Sequence, residues 1–203
     1  RHHFAAPAIE TLEARILYSA DLLPMAGAAA MGSEQQLLTS PATAAPVTEL
    51  LFVDTRVEGY ETLVADVTAD AQRPVEVVLI GSDEDGMARI TDTLAGRHDI
   101  AAIHLLSHGE PGAIALGSSR LDNNTLLTRA PELASWGSAL GPDGDIVVYG
   151  CEVAEGAEGQ HFINALATLT GADVAASDDL TGNPAQGGDW VLEYQTGWIE
   201  APS

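Results

Sequence analysis

The stretch Ile100-Ala-Ala-Ile-His-Leu-Leu-Ser-His-Gly109 is an apolar run of seven residues that breaks into a polar turn. Its branched side chains and short length suit a strand buried on both faces. Asp145-Ile-Val-Val-Tyr-Gly-Cys151 has the same form, and Glu49-Leu-Leu-Phe-Val-Asp54, Val75-Glu-Val-Val-Leu-Ile80 and Ala172-Asp-Val-Ala-Ala176 add three more runs of this kind. Between most of them the apolar spacing turns helical, over Tyr60 to Ala71, Asp83 to Ala95, Leu126 to Leu140 and Gly159 to Leu169. Buried strands alternating with amphipathic helices predict a mostly parallel central sheet covered on both faces, a three-layer α/β/α sandwich over residues 47–203. Ser82 stands as an N-cap before Asp83, Glu84 and Asp85, Gly171 as a helix stop, and Gly141-Pro-Asp-Gly144 as the turn that feeds the Ile146 strand. Trp190 to Glu200 alternates around Gly197 and is expected to form a C-terminal β-hairpin or edge strands.

The chain has 203 residues, enough for one ordinary domain with an appendage. Hydrophobic residues make up 46% and charged residues 19%, which suffices for a real core and argues against wholesale disorder. Thirty acidic against eight basic residues give a formal net charge of -22. Such a field repels phosphate backbones and anionic headgroups and draws cations and basic peptides, so nucleic acid is excluded as an expected partner. Apolar runs such as Ile146 to Tyr149 fall far short of the roughly 20 residues of a membrane helix, and no membrane insertion is expected. Cys151 is the single cysteine, so neither an internal disulfide nor a Cys-rich zinc site is available, and no metal or cofactor is expected.

Residues 1–46 differ in texture. Met25-Ala-Gly-Ala-Ala-Ala-Met-Gly32 and Ser40-Pro-Ala-Thr-Ala-Ala-Pro46 read as an Ala/Pro-rich linker. Ahead of it, Leu12, Ile16 and Leu17 suit a short amphipathic helix that must dock or stay disordered. The chain starts at Arg1 without a Met or a signal-peptide layout, which reads as a fragment.

In an open parallel sheet, reactive groups gather beyond the carboxyl ends of the strands. Ser107-His108-Gly109 and Gly150-Cys151 end two apolar strands. If these strands are neighbours, about 4.8 Å apart, an imidazole and a thiol leave them at similar heights. His108 would take the thiol proton and later protonate a leaving amine, since the thiolate is the nucleophile. The backbone amides of Gly109 and Cys151 would form an oxyanion hole, Gly109 permitting close approach because it has no Cβ. His104 is expected to be a satisfied core histidine, His161 solvated helix surface, and Ser107 a hydrogen-bonding strand-end serine. Asp83-Glu-Asp-Gly86 and Asp143-Gly-Asp145 resemble calcium-loop fragments without the closing Glu, and turns and caps account for them. Asp178 and Asp179 follow the Val174 strand where a substrate side chain would lie, and there they would pair with Arg or Lys. Arg15, in the region joined by the linker, is a basic site that such a domain would cut, in cis or in a neighbouring copy.

The order and strand context of His108-Gly109 and Gly150-Cys151 resemble the caspase-hemoglobinase superfamily of cysteine peptidases. That resemblance implies a caspase-like fold, with His108 as catalytic imidazole, Cys151 as nucleophile and Gly109 as an oxyanion donor. From Leu50 to Ala201 the chain is also similar to a domain at the N-terminus of giant bacterial surface and adhesin-like proteins, on Ser107 to Gly117, Tyr149-Gly-Cys151, Gly171 to Asp178 and Gly187 to Glu193. Leu12-Glu-Ala-Arg-Ile-Leu-Tyr-Ser-Ala-Asp-Leu22 resembles the Leu-Glu-Pro-Arg motif that opens many of them, with Ala14 in place of the proline. The implied protein is large, exported, and secreted or held at the cell surface of a Gram-negative bacterium. Two functions are expected from this reading. One is a cysteine endopeptidase-like domain acting on a polypeptide in cis or in trans, including self-processing after Arg15. The other is a non-catalytic N-terminal module that engages an export machinery or a surface partner through Leu12 to Leu22.

Overall fold

A computed structural model describes residues 48–69 and 74–201. The helix and linker expected over 1–46, and Arg15 with them, lie outside the described residues. Five strands form the body of one sheet: β1 (Glu49–Asp54), β2 (Val75–Ile80), β3 (Ile100–Leu106), β7 (Leu140–Tyr149) and β8 (Asp173–Ala176). They run parallel in the order β2-β1-β3-β7-β8, and β9 (Tyr194–Gln195) returns antiparallel along β8 to close a C-terminal hairpin at the edge. Four helices connect them: α1 (Tyr60–Ala69), α2 (Gly86–Leu94), α3 (Ala130–Ala139) and α4 (Gly156–Thr170). The fold is mixed α/β with a largely parallel central sheet. Among the described residues no helix is long and apolar enough to cross a membrane.

Alternation along the strands divides the apolar side chains. Leu50, Phe52, Ile103, Leu105, Ile146, Val148 and Val174 join one cluster with Met87 and Ile90 of α2, Leu133 and Trp136 of α3, and Phe162, Ile163 and Leu166 of α4. Leu51, Val53 and Leu106 point the other way, toward Tyr60, Leu63 and Val64 of α1. Val147 and Ala175 instead meet Leu192, Ile199 and Ala201 of the C-terminal segment. Each large side chain buried in this way stabilises the fold by about 1.5–3 kcal/mol before entropy is counted. Trp136 is wholly buried, and its indole N–H donates to the Thr91 hydroxyl at 2.9 Å, tying α3 to α2.

Several boundaries differ from the sequence expectation, each for a local reason. Helix α2 starts at Gly86, and its N-cap is Asp85, not Ser82: the Asp85 carboxylate accepts from Met87 N and Ala88 N at 3.1 and 3.2 Å. A Cβ on Gly86 would lie 2.6 Å from the Leu116 carbonyl oxygen, so this close approach sets where the helix begins. Helix α3 begins at Ala130 and not near Leu126, because Asp122 Oδ1 accepts from Asn124 N and Thr125 N and makes a turn first. Gly141 to Gly144 does not precede its strand as a turn but lies within β7, where the pairing jumps from Ile100↔Leu140 to Ala102↔Asp145. The surplus residues on β7 are accommodated as a bulge. The sequence reading also contained no counterpart of a small antiparallel sheet that follows His108, built from β4 (Gly109–Glu110), β5 (Ala113–Leu116) and β6 (Ser119–Asp122).

The C-terminal segment is held by Asp145, a buried carboxylate whose Oδ2 accepts from Glu200 N and Ala201 N, both at 2.8 Å. Burial raises its pKa above the usual carboxylate range, with Asp173 adding to the rise, against the two backbone bonds and the nearby His104.

Candidate functional site

Strands β3 and β7 are neighbours, and their last paired residues are Leu106 and Tyr149. Ser107 N donates to the Tyr149 carbonyl at 3.1 Å, carrying the pairing one step further. His108 and Cys151 each sit two residues beyond that last pair, so they leave adjacent strands at equal height. Two glycines let the tips meet. A Cβ on Gly109 would lie 2.7 Å from the Cys151 carbonyl oxygen and 3.0 Å from the Gly150 carbonyl carbon, besides running into Val153. A Cβ on Gly150 would lie 3.0 Å from Val153 and 3.3 Å from the Ser107 carbonyl oxygen.

The two side chains face different partners. His108 is exposed, and its Nε2 lies 3.1 Å from the Arg56 carbonyl oxygen. A carbonyl only accepts, so Nε2 bears the hydrogen, and in the neutral ring Nδ1 keeps the lone pair. Cys151 is partly buried, and its Sγ is 3.7 Å from the Thr181 carbonyl oxygen, a weak S–H donor bond. Thiol and imidazole do not hydrogen-bond to each other.

Two backbone N–H groups stand at the same strand ends. Ala115 N donates to the His108 carbonyl, which makes His108/Ala115 a hydrogen-bonded pair and leaves the next pair, Gly109/Ile114, of the open kind. The Gly109 N–H therefore points out of the β4–β5 ladder. The Cys151 N–H makes no hydrogen bond among the described residues. Glu152, the next residue, has φ +60, a left-handed conformation unusual for a side chain with a Cβ, and its N–H donates to the Asp179 carbonyl at 2.6 Å. Ala154 N donates to the Ser177 carbonyl at 2.9 Å, so the loop after Cys151 is bound to the loop after β8.

That second loop carries the acidic residues. Asp178 and Asp179 are exposed. Asp178 N donates to the Glu193 carboxylate at 3.1 Å, while the Asp179 carboxylate gathers with those of Asp189 and Glu193 within 4.8 Å. These three oxygen-bearing groups are suited in chemistry to a hard cation or a basic side chain. Asp189 and Glu193 escaped the sequence reading because a separate bridge, Thr181↔Asp189, folds the loop back on itself.

Asp54 and Arg56 escaped it as well. Asp54 ends β1 with no exposed surface, and its carboxylate is met by donors from Arg56 and Gly117. Oδ1 accepts from Arg56 N and Nε, both at 2.9 Å; Oδ2 accepts from the other guanidinium arm at 2.6 Å and from Gly117 N at 2.9 Å, with the Ser107 hydroxyl oxygen 3.2 Å away. Burial alone would raise this carboxyl's pKa, but the Arg56 side-chain and backbone bonds, the Gly117 bond and the Arg56 charge outweigh it and hold it at about 2, below the ordinary 3.8. A carboxyl whose folded pKa is depressed gives stability that is present above its unfolded value and lost as pH falls through the folded one. We expect denaturant titrations of the folded chain to lose about 2 kcal/mol from this group between pH 4 and pH 2. The Asp54→Asn protein should lack that part of the decline.

The remaining residues singled out in the sequence have structural places. His104 is buried, 3.0 Å from the Glu49 carboxylate and stacked on Tyr149. Ser107 is buried and donates to the Ala115 carbonyl at 2.5 Å. His161 is exposed on α4, with Nδ1 2.9 Å from Asn123 Oδ1. Asp83 to Gly86 leads into the α2 cap, and Asp145 of the Asp143 to Asp145 fragment pins the C-terminal segment.

The family described as Domain of unknown function (DUF4347) matches residues 50–203. None of the curated proteins matches the chain.

Proposed function

The chain belongs to the DUF4347 family, and from that premise we propose that it is a caspase-like, three-layer α/β/α cysteine endopeptidase domain of a large bacterial exported protein. The observation that carries the proposal is the exit of His108 and Cys151 from adjacent strand ends at one height, with Gly109 seated against the Cys151 backbone. In this reading His108 Nδ1 takes the thiol proton, and the sulfur, turned away from the Thr181 carbonyl by rotation about its Cα–Cβ bond, attacks the scissile carbonyl. The Gly109 and Cys151 N–H groups meet the oxyanion. The tetrahedral intermediate collapses, the C–N bond breaks, and the imidazolium returns its proton to the leaving amine. Water, deprotonated by the same ring, then hydrolyses the thioester and frees the thiol. Asp179, with Asp189 and Glu193, favours a substrate carrying Arg or Lys before the cut, and Asp178 supports that loop.

The substrate we favour is the chain itself, cut after Arg15, during export to the surface of a Gram-negative bacterium. Incubation of the whole chain followed by mass determination should reveal a fragment beginning at Ile16. The fragment should be missing from Cys151→Ala and from Arg15→Ala protein. Cleavage unchanged in Arg15→Ala would remove this site, and cleavage unchanged in Cys151→Ala would remove the mechanism.

A second reading, a non-catalytic N-terminal module for export or surface binding, is favoured by one observation: the thiol faces the Thr181 carbonyl rather than the imidazole. Secretion that survives Cys151→Ala but fails when Leu12 to Leu22 are deleted would support it.

A further inference from the structure

We propose that Asp54 is a positioning residue for His108, fixing through Arg56 which ring nitrogen carries the hydrogen; the inference rests on the peptidase reading above.

Burying a carboxylate is costly unless its lone pairs are filled, and here four donors fill them. Those donors are not scattered. Arg56 supplies three of them, and its carbonyl is the acceptor for His108 Nε2. With both its N–H and its guanidinium held by Asp54, and Val57 N donating to the Asp54 carbonyl at 3.0 Å, the short turn after β1 has little freedom to swing the Arg56 carbonyl. Ser107, the residue before His108, has its hydroxyl oxygen 3.2 Å from Asp54 Oδ2 and donates to the Ala115 carbonyl on the facing strand. Gly117, also held by Asp54, closes the β5–β6 turn of the small sheet that begins at Gly109. A Cβ there would lie 2.7 Å from the Gly81 carbonyl oxygen, so the turn is seated as well as bonded. One carboxylate thus holds the ring's acceptor and the β5–β6 turn of the small sheet that follows His108. Asp54 touches neither sulfur nor substrate, and its effect on chemistry runs through the imidazole.

The test is the ring itself, in the whole chain labelled with 15N and with the His108 signals assigned by loss in His108→Gln. At neutral pH we expect wild-type His108 as one tautomer, hydrogen on Nε2. In Asp54→Asn we expect both tautomers, together with a fall in kcat for an arginyl reporter peptide of about 100-fold, as for a reacting group displaced by about 1 Å, while KM moves less than about twofold. Arg56→Lys keeps the charge but loses the fork, and we expect the same direction with about a tenfold loss. An unchanged tautomer in folded Asp54→Asn overturns the inference. Where that variant does not fold, an unchanged tautomer in Arg56→Lys does so. If the wild-type chain turns over no peptide, the peptidase reading fails, and the tautomers still decide whether Asp54 positions the ring.

Discussion

Gly109→Ala is expected to lower folding stability by about 3 kcal/mol and to cut peptide turnover by at least about 100-fold. The added methyl would lie 2.7 Å from the Cys151 carbonyl oxygen and 3.0 Å from the Gly150 carbonyl carbon, and would overlap Val153. Val153 can change rotamer, although it is fully buried, but the two backbone atoms belong to the β7 tip and can only move as a unit. Relief therefore means separating the ends of β3 and β7. This separation would carry His108 away from Cys151 and the Gly109 N–H away from the position that its proposed oxyanion role needs. Denaturant unfolding measures the first effect and reporter turnover the second. Gly96→Ala is the useful comparison: nothing lies within 4 Å of its added carbon, and at φ +74 it should cost only about 1 kcal/mol of backbone strain. Equal stability of Gly109→Ala and wild-type protein would mean that the two tips are not packed this closely.

The framework was legible in the sequence where period and burial agree. Glu49 to Asp54, Val75 to Ile80 and Ile100 to Leu106 are short, mostly apolar runs, and each forms a strand with the bounds expected. The helix stop at Gly171 was equally readable, since φ +75 is a conformation that glycine adopts without cost. What escaped depends on contacts distant in the chain. Ser82 and Asp85 are both acceptable caps by residue type, and the packing of Gly86 on Leu116 selects between them. Gly141 to Gly144 has turn composition, yet pairing on both sides draws it into β7 as a bulge.

The candidate site divides in the same way. The strand-end positions of His108, Gly109 and Cys151 were readable because strand ends are marked locally by a change from apolar to polar residues. Asp54 was not, because an aspartate at the end of a strand resembles many turn residues, and its importance lies in meeting Ser107 and Gly117, more than 50 positions away. Asp179 was readable as following β8, whereas its companions Asp189 and Glu193 join it only through the folded-back loop.

The account stands on Cys151 as the nucleophile of an endopeptidase. Its most direct test is the initial rate of hydrolysis of an arginyl reporter peptide by the intact chain and by Cys151→Ala protein at equal concentration, with thermal unfolding run on both. The thiol is only partly buried and makes a single weak bond, so the melting curves should nearly coincide. Turnover should fall by at least about 10⁴-fold, as expected when a reacting nucleophile is removed and binding groups remain. Equal rates from the two folded proteins would contradict the account.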